Sequence, residues 1–190
     1  MSVDQGFREK PPVQIVELSP EEWEKLRDIK LSSLDEEPVA FEDPAEGKAK
    51  WTARPEAEWR GILAGKMTQG RAGESVNVFA KVGEDVVGMV SAIIPETESE
   101  KTATVQHMYV NGDFRGYGIG RELLQGLIER LKAKDVRKAN LDVISTQIPA
   151  IELYKSLGFV EKEMKENSAR RGGKVYDELA LELDLSKHES

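Results

Sequence analysis

Cysteine is absent from this 190-residue chain, which excludes disulfide staples, thiolate metal sites and a cysteine acyl-enzyme. Histidine is scarce. His107 and His188 lie far apart with no carboxylate cluster beside either, so no metal site is expected. No apolar run approaches the length of a membrane span, and the opening MSVDQGFREKPP is too polar to read as a secretory leader. A cytoplasmic location without a membrane partner is the expectation. Basic residues are outnumbered, 27 Lys and Arg against 35 Asp and Glu, giving a net charge of −8. That balance argues against a nucleic-acid backbone as partner. It leaves two uses for the acidic field: attracting a cationic substrate, or keeping the chain soluble.

What is present suits one globular domain. Hydrophobic residues make up 39% and charged residues 33% of the chain, which is long enough to bury a substantial core without staples. Residues 1–12 read as a polar, disordered or extended lead-in ending in Pro11-Pro12, 13–185 as the domain and 186–190 as a tail. VQIVEL (13–18) predicts a strand. Ser19, Pro20 and Glu22 then supply an N-cap, a first-turn proline and the partner of a capping box for a helix. Residues 38–54 read as an acidic connection containing proline, and 55–65 as a second short helix. Strands follow at 75–82 and 85–94 around Gly83-Glu84, and at 102–110. A helix over about 118–134, a strand at 138–145 and a helix at 148–158 come next. Two closing strands flank the turn RRGGK, so the predicted order is β-α-α-β-β-β-α-β-α-β-β.

The stretch NGDFRGYGIGRELLQGLIERL (111–131) carries the chemistry. Gly116, Gly118 and Gly120 alternate ahead of Ile119, Leu123, Leu124, Leu127, Ile128 and Leu131, which recur at helical spacing. A strand, a glycine turn and a helix N-terminus together favour an anion, because the first N–H groups of a helix are unpaired and carry partial positive charge. Glycine lets the main chain approach such a group without a Cβ between them. The nucleotide motifs fail when tested. Arg121 and Glu122 follow Gly120, where a P-loop needs Lys and Ser or Thr, and Arg121 stands where a dinucleotide fold needs its third glycine. A tight β–α connection with no ligand is the remaining alternative.

Arg115-Gly116-Tyr117-Gly118-Ile119-Gly120 resembles the R/Q-x-x-G-x-G/A loop of the GNAT superfamily of acyl-CoA-dependent N-acyltransferases. Ala150-x-x-Leu153-Tyr154-x-x-x-Gly158-Phe159 resembles that family's second block, and the element order is similar from about residue 13 to 185. The resemblance implies a mixed α/β (α+β) GNAT fold: a central, mostly antiparallel sheet with flanking helices, and strands splayed at the acyl-CoA site. It implies acetyl-CoA as co-substrate and no metal. The N–H groups from Gly116 through Tyr117, Gly118, Ile119 and Gly120 to Arg121 would cradle the pyrophosphate, with Arg115 and Arg121 adding charge. The backbone of Met108 and Val110 would run beside pantetheine, and Tyr154 would protonate the departing thiolate.

Two departures from the family pattern are visible. Gln147 stands where many members have a cofactor-contacting asparagine. On the strand before the loop, Thr104 and Gln106 are expected on the face of Met108 and Val110, and neither is a base; His107 is expected on the opposite face as a packed or surface residue. Tyr109 and the ring of Tyr117 are expected to pack. Asp35, Glu36, Glu37, Glu42 and Asp43 lie in the segment that borders the acceptor site in this family, as ligands for a cationic amine or as a solvated acidic loop. The expected activity is transfer of acetyl to a primary amine, on a small molecule, peptide or protein, by a monomer or homodimer. The alternative is an acyl-CoA-binding or regulatory module without turnover.

Overall fold

The computed structural model describes residues 9–41, 44–66, 72–96 and 101–186. The expectations for residues 1–8, for Glu42 and Asp43, and for the tail with His188 lie outside them. Residues 9–12 have no regular structure and lead into β1 (Val13–Val16), with Lys10 paired to Glu122. Ser19 N–H donates to the Glu22 carboxylate at 3.0 Å, which closes a single 3-10 turn and feeds α1 (Trp23–Glu36).

The 38–54 segment departs from expectation. It is helical, as α2 (Pro38–Phe41) and α3 (Pro44–Thr52). Each helix begins at a proline, whose fixed φ and missing N–H are tolerated in the first turn. Prolines that read as breaks are here the starts of helices. A fourth helix, α4 (Glu56–Leu63), follows.

Strands β2 (Gly73–Val82), β3 (Asp85–Pro95) and β4 (Thr102–Val110) form a meander. They are followed by α5 (Ile119–Ala133), β5 (Lys138–Ile144) and α6 (Ile148–Ser156). A hairpin of β6 (Val160–Arg171) and β7 (Lys174–Asp184) closes the chain, turning on Gly172 and Gly173, both at positive φ. The two strands run into the RRGGK segment expected as the turn, which narrows to Gly172-Gly173. One seven-stranded sheet results, ordered β1-β2-β3-β4-β5-β7-β6, and only the β4–β5 pair is parallel.

Each face of the sheet has its own core. Leu123, Leu124, Leu127 and Leu131 of α5 are fully buried against Val78, Val90, Ala103 and Val105. The opposite face carries Leu26, Ile29, Trp51 and Trp59 of α1, α3 and α4 over Phe79, Met89 and Tyr109. Among the described residues, no helix is long and apolar enough to cross a membrane, and no His, Cys, Asp and Glu group is placed to hold a metal.

Candidate active site

β4 and β5 pair only at Thr102–Lys138, Ala103–Ala139 and Thr104–Asn140, and then part. Their separation opens a cleft of about 570 Å³. Its walls bring together the end of β4, the glycine loop and the start of α6: Met108, Val110, Arg115, Gly116, Gly118, Ile119, Gly120, Arg121, Gln147 and Tyr154 all line it. Residues up to 46 apart in sequence therefore meet at one opening. Tyr117 does not line the cleft; its side chain packs against the α5-side core.

The loop is shaped by its neighbours. Asn111 Oδ1 accepts from Asp113 N–H at 3.1 Å, starting a 3-10 turn at Gly112–Phe114. Gly116 and Gly118 adopt φ of 84° and 80°, a region that other residues enter at a cost. A Cβ on either would meet nothing within 4 Å among the described residues, so their Cα atoms face open space there. Gly120 differs, because a Cβ there would press on Leu153 and Met108 at 3.1 Å. The Arg121 N–H donates to the Gly118 carbonyl at 3.0 Å and begins the helix. The cradle of unspent donors therefore ends at Gly120, one residue earlier than the sequence suggested. An open, main-chain-lined turn at a helix start fits a pyrophosphate.

Arg115 is turned away from the role of a free cation. Its Nε donates to the Val110 carbonyl at 2.8 Å, Nη1 to Glu37 at 2.8 Å and Nη2 to Glu36 at 3.3 Å. Glu36 also accepts from Asn111 Nδ2 at 3.1 Å and from the Gly112 N–H at 3.0 Å. Asp35 pairs with Lys48. The described acids of the 35–43 segment are thus bound to the protein's own donors. Arg121 is exposed and donates to Ser156 Oγ at 2.8 Å.

The sheet phase on β4 is the main correction. Ala103 and Val105 face the α5-side core, and so do Met108 and Val110, whereas Tyr109 faces the α1 side. Strict alternation cannot place both pairs on one face. A bulge at 106–108 shifts the register against β3 between Met89 and Ser91, and His107 takes φ 56°. Thr104 and Gln106 therefore do not share the face of Met108 and Val110. A bulge depends on the partner strand and leaves no period of its own, although histidine enters this backbone region more readily than most residues.

His107 lines the cleft and also a second, inner cavity of about 170 Å³ on the α1 side. Its Nδ1 lies 3.1 Å from Ser91 Oγ, and its ring meets Trp51 edge-on at 5.6 Å. Burial first, and then Lys30, Arg54 and Lys50, hold the imidazole well below its usual pKa, so it is neutral at pH 7. Tyr154 is buried, with its ring 5.7 Å from Phe159, and burial holds its phenol above the ordinary tyrosine range. Tyr109 is also raised, by burial and then by Glu36.

Residues 23–159 match the model of the acetyltransferase (GNAT) family, and the chain belongs to that family. Over 84 residues, 44% of this chain, it is 40% identical to the [ribosomal protein bS18]-alanine N-acetyltransferase of Salmonella typhimurium, covering 57% of that protein. Over 119 residues, 62% of this chain, it is 29% identical to the L-methionine sulfoximine/L-methionine sulfone acetyltransferase of Pseudomonas aeruginosa, covering 69% of it. The chain spans only 31% to 57% of the length of the curated relatives with which it shares about two residues in five. The fold is shared with a putative acetyltransferase from Salmonella typhimurium solved with its cofactor acetyl-CoA. That comparison gives a TM-score of 0.74 at 16% identity, covering 94% of this chain and 97% of the other. A GNAT acetyltransferase from Streptococcus pneumoniae gives a TM-score of 0.73 at 18% identity, covering 91% of this chain and 99% of the other.

Proposed function

We propose that the chain transfers acetyl from acetyl-CoA to a primary amine by direct attack in a ternary complex, in the cytoplasm, as a monomer or homodimer. The observation that carries this reading is the parting of β4 from β5 after Thr104 and Asn140, which puts the glycine loop and Tyr154 on one cleft. Acetyl-CoA supplies an activated acyl group as a thioester. The N–H groups from Gly116 to Gly120 hold its pyrophosphate, the main chain at Met108 and Val110 lies along its pantetheine arm, and Gln147 adds an amide contact. A β4 N–H beside the bulge polarises the thioester carbonyl.

In the reaction the amine nitrogen bonds to the acyl carbon, the carbon–sulfur bond breaks and the amine loses one proton. Tyr154 gives a proton to the departing sulfur. Burial disfavours both a bare thiolate and a lasting phenolate there, so the proton that the acylated amine sheds must return to the Tyr154 oxygen, leaving a neutral thiol, a neutral phenol and no stranded charge. The test is thiol release from acetyl-CoA against a panel of amines, run beside thermal unfolding. Stabilisation with release supports transfer. Stabilisation without release for any amine favours a binding module.

A further inference from the structure

The inner cavity carries charge of the sign opposite to the one that would attract a cationic acceptor. Lys30 comes from α1, Lys50 from α3, Arg54 from the turn after α3 and Lys66 from the approach to β2, and all four line it. Among the described residues that line it there is no Asp or Glu. Arg54 is 6% exposed and packs its guanidinium 4.1 Å over the Trp51 ring. Its Nη1 reaches Glu58 at 3.1 Å, while its Nε is shut off from solvent and has no hydrogen-bond acceptor among the described residues. The Lys30 ammonium lies 4.6 Å over the same ring. The described acids Asp35, Glu36 and Glu37 are engaged by Lys48, Arg115 and Asn111 and do not line this cavity.

We propose that this cavity is the acceptor subsite, and that Arg54 and Lys30 select a small amine carrying a carboxylate, of the amino-acid class. The inference rests on the transferase reading above and names its substrate class. Gln106 and His107 line both cavities, so an amine held by its carboxylate under Trp51 presents its nitrogen at the β4 bulge, facing the cleft. A guanidinium matches a carboxylate in shape and charge, and a buried donor without an acceptor is costly until one arrives. A cavity of about 170 Å³ holds the liquid share of about six waters, which suits a small acceptor.

The same cations bear on the base that the sequence lacks. Positive charge close to an ammonium disfavours its protonated form. Lys30, Arg54 and Lys50 already act in that direction on His107. An amine anchored beside them loses its proton more readily than in water, and the exposed mouth can take that proton.

The test pairs each proteinogenic amino acid with its carboxamide in thiol release from acetyl-CoA, with putrescine and an alanine-first tripeptide amide as the competing classes. At least one amino acid should be acetylated, with kcat/KM tenfold or more above its carboxamide. Arg54→Met and Lys30→Met should raise KM for that amino acid about tenfold or more, with the acetyl-CoA-induced rise in Tm retained. Lys30 and the Arg54 side chain are buried, so the exposed Lys50→Gln and Lys66→Gln are run alongside and should raise KM by a smaller factor in folded protein. Carboxamides, putrescine or the tripeptide amide outrunning every acid would overturn the proposal, as would an unchanged KM in all four variants. If no amine turns over, thermal unfolding with CoA present decides: acids must stabilise more than their amides. Should acetyl-CoA neither bind nor react, the transferase reading fails, and the acid-against-amide comparison without it still decides the preference of the cavity.

Discussion

His107 Nδ1 and Ser91 Oγ face each other at 3.1 Å across the point where β3 and β4 lose register. The contact fixes the ring of a residue held at φ 56°, and so fixes the wall shared by the two cavities. Backbone strain of this kind costs about 1–3 kcal/mol and persists only where its surroundings impose it. The bulge is therefore where sheet geometry becomes site geometry.

His107→Val should destabilise the fold by about 1–3 kcal/mol, because a β-branched residue is poorly tolerated at positive φ. His107→Asn should cost less, since asparagine enters this region more readily. Chemical denaturation of the two variants provides the comparison. Equal losses would mean that the side-chain contacts, and not the backbone, account for the effect.

The pH dependence of stability follows from the same residue. The folded state lowers the His107 pKa, so the neutral imidazole is the favoured form and its contribution is complete above the unfolded value near 6.5. As pH falls below 6.5 the unfolded chain takes up a proton that the folded chain refuses. Stability should then drop by at most about 1.4 kcal/mol per pH unit from this group. Denaturation at pH 7.5 and 5.5 should show a larger loss for the native chain than for His107→Asn; parallel losses would place the cause in other groups.

Tyr154→Phe should lower kcat by about 10²- to 10⁴-fold while changing acetyl-CoA affinity far less. The ring keeps its packing against Phe159 and only the hydroxyl is removed. A phenol raised by burial stays protonated past pH 10, so no alkaline fall in kcat below pH 10 should trace to Tyr154. Unchanged kcat, measured where chemistry limits the rate, would remove the acid role.

Gly118→Val should abolish most of the thermal stabilisation by acetyl-CoA. The space beside Gly118 is open, so the damage comes from φ 80°, which valine resists, and from a side chain over the main-chain donors. NAD and ATP should stabilise the native chain much less than acetyl-CoA, because their motifs are missing. Equal stabilisation by all three would reduce the loop to a general anion site.

Glu37→Gln distinguishes two uses of Arg115. If Arg115 serves to tie α1 to the loop, the substitution should cost about 1 kcal/mol or less and leave acetyl-CoA affinity level or weaker. If Arg115 instead holds pyrophosphate, releasing it from Glu37 should tighten acetyl-CoA binding, most clearly at low salt.

The sequence by itself determined the features that repeat at short range. Leu123, Leu124, Leu127 and Leu131 mark α5 because a helix returns the same face every three to four residues. Gly116 and Gly118 mark the loop because their φ values exclude most other residues. The Arg115–Gly120 and Ala150–Phe159 blocks carry the family in the same local way. Tertiary structure alone decided the rest, because it depends on partners distant in the chain. Arg115 was readable as a free cation until folding set it against Glu37, 78 residues away. The 38–54 segment read as an acidic connection although Lys48, Lys50 and Arg54 balance its three acids, because Glu42 and Asp43 stand together and the burial of Trp51 and of the Arg54 side chain leaves no mark in the sequence. The phase of β4 belongs to its pairing with β3: an extra residue at His107 reverses every side chain beyond it, and one strand's sequence holds no record of that shift.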